Sequence, residues 1–373
     1  MMSRRLFKEL IYGGICMKKP KPLLKGDKVA VVSLSSGMLG EDFAKHELEL
    51  GLKRIKEFEL VPVVMPNALK GIEYLKNHPE ARAQDLKDAF YDESIKGIIC
   101  AIGGDDTYRT LPYLLEDNDF INAVKNNPKL FTGFSDTTIN HLMFYKLGMV
   151  TFYGPTIVCD LAELDKEMLP YTKDSFLKFF KHSSEDYIES SNVWYEERKD
   201  FSIDAVGTSR VKHLEEKGYE ILQGKGKFNG RLLGGCLESF YDILTNGRYD
   251  DEKAICEKYG LFPTLDEWRN KILFIETSEE QPKSEELEKE LLALKNIGIF
   301  DVISGIIVGK PQDEQYYEEY KEIYCKVIEN KALPIIYNVN FGHAYPRCII
   351  PYGIETEVDL EKKAIILKEP MFS

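Results

Sequence analysis

Short apolar runs alternate with helix-like segments through the first 150 residues, and this alternation limits the possible folds more than any other feature. The apolar runs lie at residues 28–34, 60–65, 97–102 (GIICAI) and 130–134. Segments with the apolar spacing of a helix lie at 41–58, 78–91, 111–125 and 137–147, and in the first of them Phe43, Leu48, Leu52 and Ile55 share one face. Strands that alternate with helices predict a parallel α/β sheet with right-handed crossovers. The continuous run at 97–102 predicts a strand that is buried on both faces.

The pattern changes after residue 165. Residues 166–223 are polar, rich in scattered aromatics and weakly periodic, which predicts a long inter-domain connection that also folds over a site. Strands and helices resume at residue 224, and 350–360 with 363–368 predict a closing hairpin. At roughly 100–200 residues per domain, a chain of 373 residues predicts two domains. We place them at 17–165 and 224–373, on either side of the connection.

The composition argues against several classes of partner. The formal net charge is −13 and no basic stripe is present, so we expect no binding to nucleic acid or to anionic lipid. No run is long and apolar enough to span a bilayer. Seven widely spaced cysteines without a CxxC pair indicate neither a zinc knuckle nor a dithiol redox site, and favour a reducing compartment.

The first 16 residues contain two arginines before a mildly apolar stretch. Lys8 and Glu9 interrupt that stretch and no small-x-small cleavage site follows it. We therefore expect no secretion signal, a natural start at Met17 and a cytoplasmic protein.

The turn around Ser135 is the sharpest local feature of the sequence. The segment Gly133-Phe134-Ser135-Asp136 follows an apolar strand and precedes a helix. A serine at such a turn presents its hydroxyl at the carboxyl end of a sheet, where the N–H groups of the helix N-terminus suit a developing oxyanion. The turn resembles a nucleophile elbow, although Thr137 stands where the GxSxG pattern has glycine. The alternative is that Ser135 or Asp136 only caps the helix.

A second glycine loop, Gly103-Gly104-Asp105-Asp106-Thr107, follows the strand at 97–102. Paired glycines let a backbone approach a ligand and expose its N–H groups, so this loop could provide part of an oxyanion hole or hold phosphates. The loop resembles the GGDGT-type loop of NAD kinases and lipid kinases, which makes a nucleotide-binding kinase a rival hypothesis. Asp106 departs from that pattern, and its charge should repel a triphosphate.

Two further polar residues end apolar strands in the second half of the chain. His343 follows the run PIIYNVNF and a glycine, and Glu276 ends the run KILFI. Ligand sites in open α/β sheets lie at such carboxyl ends, and a histidine base needs a carboxylate to hold its other ring nitrogen. Each residue also has an ordinary reading: His343 as a structural histidine, and Glu276 as the first solvated residue of an acidic run. Glu279 and Glu280 read as surface groups.

Several ordered blocks together resemble the LD-carboxypeptidases, and within them the branch of the microcin-C immunity peptidases. The blocks run from residue 24 to about 357: KGDKVAVVSLSSG, IKGIICAIGGDDTYRTLPYL, LFTGFSDTTINHLMFYKLGMVTFYGP, GRLLGGCLESF, ILFIETSEE, GIIVGK and NVNFGHAYPR. The resemblance implies a catalytic triad of Ser135, Glu276 and His343. It also implies an oxyanion hole made by the backbone N–H groups of Asp136 and Gly104.

The resemblance has consequences for fold and assembly. It implies an N-terminal Rossmann-like domain that carries the serine and a C-terminal swivelling, barrel-like α/β domain that carries the glutamate and histidine. The active site would lie in the cleft between them, and homodimers are usual in the family. No cofactor or metal is expected, because His, Asp and Glu are not clustered at ligand spacing.

The substrate is less constrained than the chemistry. Many LD-carboxypeptidases have arginine before the glycine pair, where this chain has Ile102, and the immunity branch is more similar there. That branch stacks a tryptophan on a nucleobase, for which Trp194 is a candidate, with packing within a loop as the alternative. We also expect Asp105 to contact substrate. The scissile amide could belong to a murein LD-peptide or to an acyl-adenylate-like molecule, and a non-catalytic small-molecule binding module is a third hypothesis.

Overall fold

The computed structural model describes residues 17–373, and the prediction for residues 1–16 lies outside them. Up to residue 165 strands and helices alternate as the sequence predicts. In chain order these elements are β1 (Lys28–Val32), α1 (Lys45–Glu57), β2 (Val61–Val64), α2 (Ile72–Asn77), α3 (Pro79–Tyr91), β3 (Ile95–Cys100), α4 (Leu111–Leu115), α5 (Asn118–Asn126), β4 (Leu130–Gly133), α6 (Thr138–Lys146) and β5 (Phe152–Tyr153).

Strands β1 to β5 pair in parallel in the order β5-β4-β3-β1-β2. The predicted parallel sheet is confirmed, and all residues of β3 except Lys96 are buried, as expected for a strand covered on both faces. Two helix predictions were wrong in detail. The segment 111–125 is two helices, because Asp117 caps α5 by accepting hydrogen bonds from the N–H groups of Asp119 and Phe120. Phe43 precedes α1, lies in a 3₁₀ turn and is 60% exposed, so it does not share the buried face of the helix.

Residues 166–223 contain more regular structure than their weak periodicity suggested. They form α7 (Pro170–Leu177), β6 (Asp186–Ile188), β7 (Val193–Tyr195), β8 (Lys212–Leu214) and β9 (Glu220–Gln223). Strands β7 and β8 make a separate two-stranded ribbon. Strands β6 and β9 join opposite edges of the second sheet, so residues of the predicted connection help to build that sheet.

The remaining elements build the second half of the molecule. They are β10 (Lys227–Cys236), α8 (Leu237–Thr245), α9 (Glu252–Lys258), α10 (Leu265–Trp268), β11 (Lys271–Glu276), α11 (Ser284–Asn296), β12 (Gly305–Gly309), α12 (Tyr317–Val327), β13 (Ile335–Val339), β14 (Ile350–Pro351), β15 (Glu355–Asp359) and β16 (Ala364–Leu367).

The second sheet has the order β6-β16-β15-β10-β11-β12-β13-β9. Its four central strands, β10 to β13, are parallel, and the outer pairings are antiparallel. The sheet curls so that its edges approach each other: the Tyr219 hydroxyl, beside β9, donates to the carbonyl of Ile188 in β6 at 3.1 Å. This is the barrel-like α/β half that the sequence led us to expect.

The predicted closing hairpin is present only in part. Strands β15 and β16 pair as expected, but β14 leaves the second half and pairs antiparallel with β5, with Ile350 opposite Tyr153. Residues on both sides of β14 are buried, so this segment packs between the two sheets and has no solvent face that would mark a hairpin strand. The two halves of the molecule therefore share a sheet.

Across residues 17–373, none of the helices combines the length and the apolar character that a bilayer crossing requires.

Candidate active site

Ser135 lies in a strained turn between β4 and α6. Its φ angle is +65°, in the left-handed region that residues other than glycine seldom occupy. A single 3₁₀ turn, Ser135–Thr137, joins the strand to the helix. Neither Ser135 nor Asp136 caps a helix here, since Phe134 and Thr137 hold the N-cap positions and Asp136 Oδ2 accepts from the Thr107 N–H at 2.9 Å. The geometry is that of a turn that presents a side chain, which is where strain in an enzyme usually lies.

The glycine loop after β3 packs directly against Ser135. A Cβ atom at position 103 would come within 2.8 Å of the Ser135 Cβ, so only glycine lets the loop approach this closely. The Gly104 N–H lies outside any helix or strand, and the Asp136 N–H lies in the first turn of a helix, where such groups have no intrahelical acceptor. Among the described residues neither amide donates a backbone hydrogen bond. Both N–H groups thus lie beside Ser135 without a backbone acceptor within residues 17–373.

Glu276 and His343 lie at the carboxyl ends of β11 and β13 and contact each other. His343 Nδ1 is 2.8 Å from Glu276 Oε2, and the His343 backbone N–H donates to the same oxygen at 3.1 Å. Gly342 has a φ angle of +79°, and a Cβ there would fall within 2.3 Å of the Glu276 carboxylate. The carboxylate therefore fixes both the ring and the backbone of the histidine.

Tyr153, at the end of β5, links this pair to Ser135. Its hydroxyl donates to Glu276 Oε1 at 2.5 Å and accepts from the Ser135 N–H at 3.0 Å. Burial raises the pKa of Tyr153 well above its ordinary value, and the charge of Glu276 adds to the effect, so the phenol stays protonated and can donate. Sequence reasoning missed this residue. The signal was present, because a polar group that ends an apolar strand is the criterion that selected Glu276.

Glu279 was predicted to be a surface group, and that description is incomplete. Its side chain is 63% exposed, yet its Oε2 lies 2.8 Å from His343 Nε2. Burial lowers the pKa of His343, but the charges and hydrogen bonds of Glu276 and Glu279 outweigh it and raise the pKa to about 10. Among the described side chains, Ser135 Oγ makes no hydrogen bond to His343. The nitrogen that would face the serine is instead paired with a carboxylate.

A cavity of about 500 Å³ opens over Ser135 and His343. This size is typical of small-molecule sites. Phe43 and Phe201 line it and expose 60% and 44% of their surface, so two aromatic rings stand at the rim. Arg210 and Arg347 lie deeper in its wall, where the carboxylates of Glu163 and Asp160 hold them.

Two side chains predicted to contact substrate lie away from this cavity. The Trp194 ring stacks on His213 at 4.1 Å between ring centres, with Lys310 Nζ 5.2 Å from its centre, and it does not line the cavity. Asp105 lines a smaller adjoining chamber and lies 3.6 Å from Arg248.

The other acid of the glycine loop, Asp106, is buried and forms an ion pair with Arg82. Arg82 is fully buried and also donates to the carbonyls of Leu34 and Ser35, at 3.2 and 3.3 Å. The charge of Asp106 is therefore neutralised inside the domain. The ion pair with Arg82 holds the glycine loop in place. Because the charge of Asp106 is neutralised, Asp106 repels phosphate less than we expected from the sequence.

One group of side chains at this site has the composition of a metal site. Cys236, Glu276 and His343 have potential ligand atoms within 4.8 Å of one another. A cysteine that binds zinc must be a thiolate, but burial raises the pKa of Cys236 well above its ordinary value, as do the charges of Glu238 and Glu276. Glu276 and His343 already bond to each other. The group fits a base-and-orienter pair with a neutral thiol beside it better than a metal centre.

Comparison with known proteins identifies the family of this chain. Residues 29–154 match the LD-carboxypeptidase N-terminal domain, and residues 229–358 match the LD-carboxypeptidase C-terminal domain. The microcin C7 self-immunity protein MccF of Escherichia coli is 27% identical over 94% of this chain and 96% of its own. A probable murein peptide carboxypeptidase of Bacillus subtilis is 26% identical over 94% of both chains.

Solved structures show the same similarity. An MccF-like protein from Streptococcus pneumoniae, solved in complex with AMP, superposes with a TM-score of 0.88 at 51% identity and covers 92% of this chain and 98% of its own. MccF in complex with glutamyl sulfamoyl guanosine has a TM-score of 0.78 at 24% identity over 95% of this chain and 99% of its own, which shows the shared fold. With both domain matches in the expected order, the chain belongs to the LD-carboxypeptidase family of serine-type peptidases.

Proposed function

We propose that this protein hydrolyses an amide bond with Ser135 as nucleophile, His343 as base and Glu276 as the group that orients the base. The observation that carries the proposal is the shared cavity. Ser135, in a strained turn beside two available N–H groups, opens into the same space as a histidine held by a buried carboxylate. This is the arrangement that serine hydrolases use, whatever their fold.

The reaction would proceed in two steps. Ser135 Oγ attacks the carbonyl carbon while His343 Nε2 takes its proton, and the Gly104 and Asp136 N–H groups donate to the oxyanion. His343 then gives that proton to the leaving nitrogen as the C–N bond breaks, which leaves an ester on Ser135. A water molecule, deprotonated by His343, hydrolyses the ester and releases the acid.

We further propose that the substrate is an aminoacyl or peptidyl group joined to a nucleotide. The Streptococcus pneumoniae relative at 51% identity has been solved with AMP. The cavity of this chain has the size for a nucleoside, and the exposed rings of Phe43 and Phe201 can stack on a base. Trp194, suggested by the sequence for that role, stacks on His213 and would need to move to reach the cavity.

A murein LD-peptide is the second candidate substrate. It rests on the family itself and on the Bacillus subtilis relative named as a probable murein peptide carboxypeptidase. The kinase and the non-catalytic binding module have less support, since family membership favours hydrolysis and the glycine loop packs on Ser135.

The test is product formation by mass spectrometry with wild-type and Ser135→Ala protein. Each is incubated with aspartyl sulfamoyl adenosine and, separately, with a murein LD-tetrapeptide. Cleavage of the nucleotide analogue by wild type alone supports the proposal, and release of terminal D-alanine favours the second candidate. Full activity of the alanine variant would exclude Ser135 as the nucleophile.

Two controls separate the rival functions. Excess EDTA should leave hydrolysis unchanged, whereas a kinase would lose activity without its magnesium and would need ATP. A binding module would bind these ligands without any turnover. The expected homodimer and cytoplasmic location remain proposals, and light scattering of the purified protein tests the first.

A further inference from the structure

A small acidic chamber adjoins the catalytic cavity on the other side of Ser135. Gly104, Ser135 and Glu279 line both spaces, so the nucleophile stands at the junction between them. The chamber has a volume of about 30 Å³, enough for one or two groups the size of a water molecule. Its walls carry seven carboxyl side chains and a single cation, Arg248.

Arg248 is not available to an anionic ligand. Its guanidinium lies 2.9 Å from Glu280 and 3.6 Å from both Asp105 and Asp242. Three carboxylates thus share one positive charge, and within residues 17–373 further acids of the chamber, such as Glu238 and Glu252, form no ion pair with a cation. Acids thus outnumber cations in the chamber, which favours a positively charged group over a carboxylate or phosphate.

Glu252 points to a missing partner. Its side chain lines the chamber, is 2% exposed, and has an Oε2 atom without a hydrogen-bond partner among the described residues. Buried carboxyl oxygens are nearly always satisfied, so an unsatisfied one needs an explanation. Burial raises the pKa of Glu252 to about 9, with the charges of Asp136 and Asp242 adding to it. Burial likewise raises the pKa of Asp242 to about 6. A cation in the chamber would reverse these shifts.

We propose that the acidic chamber binds an ammonium group carried by the acyl part of the substrate, with Glu252 and Asp242 as its main carboxylate partners. The inference rests on the proposed function, because it assigns the acyl group to one side of Ser135 and the leaving group to the large cavity. An α-ammonium is bonded to the carbon next to the scissile carbonyl, so it is near enough to enter a chamber beside the nucleophile. A side-chain ammonium has the same chemistry and a longer reach.

Three sulfamoyl adenosine substrates distinguish an α-ammonium from a side-chain ammonium as the group that the chamber binds. The alanyl compound carries an α-ammonium, the lactyl compound replaces it with a hydroxyl of similar size, and the 6-amino-2-hydroxyhexanoyl compound carries only a side-chain ammonium. We expect wild type to prefer one of the ammonium compounds over the lactyl compound by about 10-fold or more in kcat/KM. Preference for alanyl identifies the α-ammonium, and preference for the longer compound identifies the side chain.

The carboxylate is tested by Glu252→Gln, which keeps the shape and removes the charge. The preference should fall to less than about 3-fold in this variant. Glu257→Gln is the matched control, since Glu257 lies on the same helix, α9, is 67% exposed and does not line the chamber. Its preference should equal that of wild type. Equal kcat/KM for all three compounds, or a preference that survives Glu252→Gln, overturns the inference.

Binding to Ser135→Ala protein separates this inference from the proposed function. Calorimetry should show the same preference for the ammonium compound without turnover. If that preference is found but wild type cleaves nothing, the hydrolase proposal fails and the chamber assignment stands. If wild type cleaves all three compounds equally, the chamber assignment fails and the hydrolase stands. Equal binding of all three compounds overturns the chamber assignment in either case.

Discussion

The Nε2 atom of His343 lies 2.8 Å from Glu279 Oε2, so the nitrogen that takes the Ser135 proton in the proposed mechanism is already paired. With carboxylates at both ring nitrogens, the pKa of His343 is raised to about 10, and the imidazole is protonated at neutral pH. A protonated histidine cannot act as a base. In the proposed mechanism, Glu279 must therefore leave Nε2 before Ser135 attacks.

Removing the charge of Glu279 should make the enzyme active at lower pH. A carboxylate beside His343 stabilises its protonated form, so Glu279→Gln lowers the pKa of the base. We expect the acidic limb of the kcat/KM profile against pH to move down by roughly one pH unit. A neighbouring charge can shift a pKa by more than this, but Glu279 is exposed to water, which weakens its effect on His343. Glu280→Gln is the control, since Glu280 pairs with Arg248. An unmoved limb in Glu279→Gln would contradict this account.

The hydroxyl of Tyr153 should matter to catalysis although it transfers no proton in the proposed mechanism. Tyr153→Phe leaves Glu276 Oε1 and the Ser135 N–H without their partner. We expect kcat to fall about 10–100-fold. With one donor fewer, Glu276 stabilises the protonated histidine more strongly, so the acidic limb should move to higher pH.

A matched control separates positioning from packing. Tyr352→Phe also removes a buried hydroxyl near this site, one that donates to the Gly234 carbonyl. Tyr352→Phe should lower the free energy of unfolding without moving the acidic limb of the kcat/KM profile. If both variants move the limb equally, the link from Tyr153 to the triad has no special role.

The aromatic rim of the cavity gives a prediction about nucleotide binding. Base stacking contributes on the order of 1–3 kcal/mol per ring, so Phe201→Ala or Phe43→Ala should raise the dissociation constant for AMP about 10-fold. Trp194→Ala should leave it within about 2-fold, because Trp194 lies outside the cavity. Calorimetric titration measures these constants, with Tyr187→Ala as an exposed aromatic control. A larger rise in the dissociation constant for Trp194→Ala than for the two phenylalanine variants would support the role that the sequence suggested for Trp194.

The ion pair beneath the glycine loop should be a large contributor to stability. Asp106→Asn leaves the Arg82 guanidinium, which is fully buried, without its carboxylate. Breaking such a pair costs about 3–5 kcal/mol. Urea unfolding should show this loss, whereas Asp105→Asn, one residue away and partly exposed, should change the free energy of unfolding by less than about 0.5 kcal/mol. A small loss in Asp106→Asn would show that water reaches Arg82.

The fold was predictable where the chain repeats a simple pattern. Continuous apolar runs identified β1 to β4, and helical spacing identified α1, α3 and α6. The prediction of strands failed where a segment becomes a strand only because it pairs with a strand that is distant in the sequence. Strand β14 is two residues long and pairs with β5, almost 200 residues earlier, and no local period records that pairing. Likewise, β6 and β9 are short and become strands because the edges of a sheet are open to them.

The proximity of the candidate site residues was predictable where they lie at strand ends. Ser135, Glu276 and His343 each follow an apolar strand, and the structure brings them to one place. What the sequence could not supply is which side chains turn toward that place. Glu279 looks like one more residue of an acidic run, and only the path of the chain after β11 brings it to His343. The same limit applies to Phe43, whose apolar character suggested a core position.

The pairing of β14 with β5 bears on how the protein is made. A ribosome delivers the five parallel strands of the first sheet first, but the strand that covers β5 arrives only with residues 350–351, almost 200 residues after β5. Domains generally fold as they emerge, yet here the nascent first half has an unpaired edge at Tyr153, the residue that joins Ser135 to Glu276. A truncated or stalled chain is therefore an incomplete hydrolase with an open sheet edge, which is a known route to aggregation. The proposed activity and the protection of that edge therefore depend on the same late-made segment, residues 350–351.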